Sequence, residues 1–144
     1  MHKALNYLGL ARKGGMAELG EEPVGAAARA GHAVLVIVAA DAGDHTWRRA
    51  KSDVAGTQQQ CLRVPFTKDE LGQAIGRTDL ALAALTDPAL ALAFVRALDR
   101  PDADVTAALE SRVSRVRQHR REEQAHRRNV RTGKVRHPAQ KKQG

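Results

Sequence analysis

The stretch GEEPVGAAARAG, residues 20 to 31, sets two carboxylates where the chemistry of a chain usually runs the other way. A glycine, a proline three places on and a run of small residues read as the opening of a helix. A helix mouth presents free N–H groups and a partial positive charge, so it welcomes anions. Glu21 and Glu22 complement that dipole, by about 0.3–1 kcal/mol, and oppose an approaching phosphate. They also have a second use. A carboxylate accepts hydrogen bonds from base edges, as from cytosine N4 in a duplex groove, and guanine N1–H and N2–H in a distorted RNA are comparable donors. Gly20 would let a ligand's backbone come close. Dipole complement and base acceptor both fit these residues.

Other reactive side chains make weaker constellations. His45 stands near Asp41 and Asp44, but in a polar turn. His119 and His126 are seven residues apart, two helical turns, without a third ligand to complete a zinc site. A single cysteine, Cys61, excludes an internal disulfide and a Cys-based zinc site, and its neighbours Leu62 and Val64 suggest a small buried residue. No nucleophile, base and orienting group fall into a recognisable arrangement, and neither GxGxxG nor GxxxxGK[ST] occurs. The expectation is a protein that is not an enzyme, with no cofactor, no metal and no small-molecule substrate. Tyr7, Trp47, Phe66 and Phe94 are scattered, mostly on apolar faces, which speaks against a sheet platform that stacks bases. Trp47, beside Arg48 and Arg49, is either an exposed stack or a packing residue.

Charge is unevenly spread. Residues 1–100 hold 12 Lys and Arg against 11 Asp and Glu, whereas residues 101–144 hold 12 against 5. Nearly all of the net charge of +8 therefore belongs to the C-terminal end, which points to nucleic acid or to a solubilising tail. No run approaches about 18 apolar residues, so nothing spans a membrane. The opening MHKALNYLGLARKGG alternates apolar and charged residues too early for a signal peptide, and a cytoplasmic protein is expected.

These residues must be positioned by regular elements. Leu5, Leu8 and Ala11 keep a helical spacing before the Gly14–Gly15 stop. Gly20–Ala30 is a second helix with Pro23 in its first turn. AVLVIVAAD is a β-branched apolar run, expected as a strand buried on both faces. DHTWRRAKSDVAG returns to helix, and CLRVP is a short strand ended by Pro65. Thr67 with Glu70 forms a capping box for TKDELGQAIG. LALAAL is another strand, and Asp87 with Pro88 starts the next helix. Helices alternate with strands through residue 100, the pattern of a three-layer α/β/α domain. A boundary is expected at Arg100–Pro101–Asp102, dividing a domain of residues 1–100 from an extension of 101–144. In the extension Val105, Leu109, Val113 and Val116 keep a helical period, after which the chain is too polar to bury a face and is expected to fray into disorder unless a partner orders it.

Three blocks, NYLGLARKGG, the glycine-led helix ending RAGHAVLVIVAADAGDHT, and VPFTKDELGQAIGR, resemble in order and spacing the kink-turn RNA-binding superfamily of L-seven-Ae type ribosomal proteins, and in particular its bacterial YlxQ-type members, over residues 2–98. Leu35–Asp41 with Thr46, and the LGxAxG of Leu71, Gly72, Ala74 and Gly76, carry most of the likeness. The resemblance implies a mixed four-stranded sheet between helices and an RNA site at the mouth of the second helix, where the family has Gly-x-Asn-Glu-x-x-Lys. Gly20 keeps the glycine. Glu22, Pro23 and Ala26 stand where the asparagine, glutamate and lysine would be, and the loop Arg77-Thr78-Asp79 is about two residues shorter than the archaeal form.

The reading that follows is binding of structured RNA, ribosomal by family, in ribosome assembly or translation. Its expected site comprises Gly20, Glu21 and Glu22, Arg77 in the neighbouring loop, Arg12 and Lys13 at the end of the first helix, and the extension's Arg112, Arg115, Arg117, Arg120, Arg121, Arg127 and Arg128. Arg12 and Lys13 are equally well explained as cations that satisfy a helix C-terminus. The alternative is a protein-interaction module on the translation machinery, with ribosomal proteins as partners, the alanine-rich face of Ala89–Ala97 as the contact and only nonspecific RNA contact by the tail. Salt separates the two: if six cations met phosphates of single-stranded RNA, log K would fall with log salt at a slope of about −4, and an apolar interface would show no such slope.

Overall fold

A computed structural model describes residues 1–132 of the chain. The first helix, α1 (Lys3–Lys13), buries Ala4, Leu5, Leu8 and Ala11, the stripe that its spacing predicts. The chain then turns at Gly15 (φ 72°) into β1 (Ala17–Leu19), a strand that the sequence reading passes over as a link. Three residues are too few to display an alternating pattern, and β1 is defined by its partner: Ala17 faces Leu85 and Leu19 faces Ala83.

Next come α2 (Glu21–Arg29), β2 (Leu35–Val38), α3 (Asp44–Val54), β3 (Gln60–Arg63), α4 (Lys68–Ala74), β4 (Leu82–Leu85) and α5 (Pro88–Arg96). The sheet runs β1-β4-β2-β3, with β2 and β3 parallel and β4 antiparallel to both of its neighbours. The fold is thus the expected α/β sandwich around a mixed four-stranded sheet. α2 and α3 cover one face and α1, α4 and α5 the other. Every residue of β2 and β4 is buried, which is why neither strand alternates in sequence. β2 is shorter than the AVLVIVAAD run, but Ala33, Val34 and Ala39 on its flanks are buried as well. α5 spends Ala91, Leu92, Phe94 and Val95 on the core, while Ala89 is exposed and Ala93 and Ala97 are half-buried.

Local signals account for the helix starts. The Thr67–Glu70 capping box closes reciprocally, Thr67 Oγ1 accepting from Glu70 N at 3.2 Å and Glu70 Oε1 from Thr67 N at 2.9 Å. Asp87 caps α5 by accepting from Leu90 N at 2.9 Å. One buried polar side chain, Gln59, had no signal in the sequence. Its amide accepts from Ala33 N at 2.9 Å and donates to Ala28 O at 3.1 Å, joining the end of α2, the approach to β2 and the start of β3.

The chain divides into two compact units, the first ending at Glu110 and the second beginning at Ser111. α6 (Ala103–Thr132) starts in the first, where Asp102 Oδ1 accepts from Val105 N at 2.9 Å and Val105 and Leu109 are buried. In the second it stays helical through Thr132, past the point where fraying is expected; residues 133–144 lie outside the described residues. The reason is propensity. Arg, Glu, Gln and Ala are strong helix formers, and Glu123 pairs with His119 (3.0 Å) and Arg127 (3.7 Å) at i±4 spacing.

LGxAxG also finds its physical meaning here. A Cβ on Gly72 would lie 2.6 Å from Asp79 Cα and 2.7 Å from Asp79 N, because the loop after α4 folds back against the helix; Arg77 N donates to Gly72 O at 2.8 Å and Leu80 N to Lys68 O at 3.0 Å. Gly76 supplies the left-handed turn (φ 75°) that starts the return. Backbone cannot step aside as a side chain can. Gly72→Ala should therefore cost about 1–3 kcal/mol, seen as a lower urea midpoint at unchanged m-value; a midpoint equal to wild type would show that the loop does not pack as described.

Candidate functional site

Three strands of the sheet, β1, β2 and β3, end at one edge, and each is followed there by a helix. The mouths of α2, α3 and α4 consequently gather along that edge, with the start of β4 among them. Two backbone bonds bind the edge together: Gly20 N donates to Leu82 O at 3.2 Å, and Ala39 N to Ala81 O at 2.8 Å.

At the mouth of α2, Gly20 is the N-cap, with φ 95° and ψ 168° and no side-chain cap. Only glycine adopts that conformation without strain, and a Cβ there would meet just Pro23 Cδ, at 4.0 Å. The space beside this backbone is open. Pro23 removes one N–H from the first turn, and Val24 N bonds back to Gly20 O at 3.0 Å. Glu21 and Glu22 do not face the mouth alone. Arg49, from α3, reaches across: its Nη1 lies 3.4 Å from Glu21 Oε1 and its Nη2 3.9 Å from Glu22 Oε1. One guanidinium thus straddles two carboxylates, offsetting part of the charge that would repel a polyanion. Glu22 remains 86% exposed as a side chain and Glu21 44%, so both oxygens stay within reach of an incoming donor.

Arg49 could not be singled out from the sequence, since its partners are 27 and 28 positions away. Trp47, two residues earlier, is half-buried, and its ring is bracketed by Lys51 Nζ and Arg63 Cζ, each 5.1 Å from the centroid. Of these, the Trp47–Lys51 contact has the i,i+4 spacing of a helix face and was legible; Arg63 comes from β3. Arg63 also donates from Nη1 to Ala40 O at 3.2 Å and lines an open groove of about 550 Å³ with Ala40, Val64, Pro65, Asp99 and Arg100. Asp41, in the loop after β2, accepts from Lys68 N at 2.8 Å and so ties the α3 loop to the mouth of α4. The helices and loops that meet here carry both signs of charge, Arg48, Arg49, Lys51, Arg63 and Arg100 as well as Asp41, Asp44, Asp69 and Asp99.

The other expected residues are dispersed. Arg77 is exposed on the α4–β4 loop, five residues before the Leu82 that supports Gly20. Arg12 and Lys13 close the last turn of α1, before β1 begins, and hence lie at the opposite end of β1 from Gly20. The extension's arginines belong to the second unit. Arg115, Arg117, Arg120, Arg121, Arg127 and Arg128 are exposed and Arg112 is half-buried. Among the described residues no group of three or more His, Cys, Asp or Glu is arranged to hold a metal, and no helix is long and apolar enough to cross a membrane.

No family model matches the chain, and no curated protein does. Solved structures do. A protein with unknown function from Bacillus halodurans superposes with a TM-score of 0.64 at 29% identity, over 69% of this chain and 100% of its own. The Giardia lamblia 15.5kD RNA binding protein superposes with a TM-score of 0.55 at 19% identity, over 74% of this chain and 84% of its own. The sandwich built here is a fold that these proteins share.

Cys61 lies on β3 and is half-buried. Burial pushes its thiol from 9.0 up to about 11; Lys51 pulls it down, Asp53 adds to the rise and a backbone hydrogen bond at Leu62 lowers it. A thiolate is the reactive form, and the stronger nucleophilicity of a more basic thiolate offsets only part of the loss, so labelling by a disulfide reagent at pH 8 should run about 10-fold slower than for a free cysteine. Since the folded thiol holds its proton longer than the unfolded one, the associated stability is present below pH 9.0 and is lost as pH rises towards 11. Labelling as fast as that of the urea-unfolded chain would show Cys61 to be open to solvent.

Proposed function

We propose that this protein binds structured RNA without catalysing a reaction on it, and that its RNA is ribosomal, met during ribosome assembly or translation. The observation that carries this reading is the sandwich shared with a chain described as an RNA binding protein, over 84% of that chain's length. The charge distribution supports it independently: from Ser111 onward there are 12 Lys and Arg against two acids.

In this reading the mouth of α2 is the docking face. Gly20 leaves room for a nucleotide, Glu22 accepts from a base edge, and Arg49 holds Glu21 and lowers the local negative charge. Arg77 and the basic residues around Trp47 meet neighbouring phosphates. Arg12 and Lys13 complement the dipole of α1, since they stand at the far end of β1. The arginines of the second unit supply phosphate affinity that the mixed-charge edge does not. No kink-turn signature survives at Glu22, Pro23 and Ala26, so the RNA need not be a standard kink-turn, and crosslinking in cells with sequencing of the bound RNA would identify it.

Two measurements on the pure full-length chain test the reading. Affinity for ribosomal RNA fragments should fall steeply with salt, and no complex even in dilute buffer would end it. Glu22→Ala should weaken binding to a folded RNA target by about 1–3 kcal/mol, the worth of one good base contact, at an unchanged salt slope. If Glu22 serves only the helix dipole, the same variant will bind as well as wild type or better, because a negative charge has left the face.

A further inference from the structure

Arg112 and Arg115 of the second unit lie on other faces of α6, but the five arginines that follow them, up to Arg128, are sorted in space. Successive residues of an α-helix are displaced by about 100° around its axis, which puts Arg117, Arg120, Arg121, Arg127 and Arg128 of α6 within an arc of about 120°. Within it they form two rows about 90° apart, Arg120 with Arg127 in one and Arg117, Arg121 and Arg128 in the other, and Gln124 falls between them. The rows extend over about 16 Å of helix at 1.5 Å per residue. All five side chains are exposed. The acids of this segment, Glu122 and Glu123, lie outside the arc, as do His119 and His126. Glu123, on its flank, engages His119 at 3.0 Å and Arg127 at 3.7 Å; exposed pairs of this kind are worth under about 1 kcal/mol and exchange readily for a phosphate.

We infer that this face of α6 is a docking surface for double-helical RNA, its two arginine rows meeting the two phosphate rows that border one groove. The inference rests on the RNA-binding reading above and deepens it by naming the form of the RNA. Charge complementarity selects a polyanion, and the two-row geometry selects a duplex. In A-form RNA the major groove is narrow, so phosphates of both strands come close together along its borders, and a side chain cannot enter to read bases. A rigid helix laid over that groove engages both strands at once. A single strand offers one phosphate row and can satisfy only one row of arginines. Guanidinium groups suit this task because their fork binds phosphate bidentately. The contact is blind to sequence, leaving discrimination to the first unit.

The test compares the full-length chain with a variant in which three arginines are moved around the helix at constant composition and net charge: Arg117→Gln with Gln118→Arg, Arg120→His with His119→Arg, and Arg128→Asn with Asn129→Arg. The probes are an RNA duplex of about 20 base pairs and an unpaired strand of equal length, titrated over a salt series. Wild type should prefer the duplex by about 10-fold, and the swapped variant should lose that preference together with about three units of salt slope on the duplex. Circular dichroism should report equal helix content in the two proteins. If the variant loses helix instead, the wild-type preference alone decides. Equal binding of duplex and single strand by wild type, or a helical variant that binds the duplex as tightly as wild type, overturns the two-row surface and leaves RNA binding itself standing. Failure of wild type to bind duplex, single strand or folded ribosomal RNA overturns both.

Discussion

The whole edge depends on one reversal of direction. β4 runs opposite to the strands on either side of it, so that it begins where β1, β2 and β3 end. At that point the carbonyls of Leu82 and of Ala81 just before it take the N–H groups of Gly20 and Ala39. A buried backbone N–H without a partner costs as much as a lost hydrogen bond, so these bonds hold the loop after β2 and the cap of α2 in fixed relation. The reversal thus anchors Gly20 on the start of β4, at the same end of the sheet where α2 and α3 pack together and Arg49 spans Glu21 and Glu22.

That edge satisfies most of its own electrostatics. α2 has Glu21 and Glu22, α3 has Asp44, and α4 has Asp41, Asp69 and Glu70, so the partial positive charge of each helix mouth is already answered by a carboxylate. Such an edge is poor at collecting phosphates and well suited to accepting hydrogen bonds from bases. On the proposed reading this divides the work between the units. The first offers acceptors in a fixed geometry, where discrimination arises, and the second offers donors for phosphate, where affinity arises.

What was legible before the structure had a local cause. The Thr67–Glu70 box, the Asp87–Pro88 start and the fully apolar β2 and β4 all follow from interactions within a few residues or from complete burial, both of which leave a mark on composition. β1 left none, because three residues owe their strand character to Leu85 and Ala83 across the sheet. Gln59 looked like any polar residue in a turn, and only the approach of Ala28 and Ala33 makes its amide a buried joint. Past Val116 the helix continues to Thr132 without a buried face, which Arg, Glu and Gln allow because they favour helical geometry by propensity alone.

The sequence by itself determined the order of the helices and of the strands after β1, the glycine-led mouth of α2 and the concentration of positive charge beyond residue 110, since each is a property of neighbours along the chain. Tertiary structure alone decided that Arg49 closes on Glu21 and Glu22, that Arg63 comes onto the ring of Trp47, and that Arg12 and Lys13 stand apart from Gly20. Those relations join residues on different elements, and their distances are set by the reversed strand and by packing on the two faces of the sheet, which no local spacing encodes.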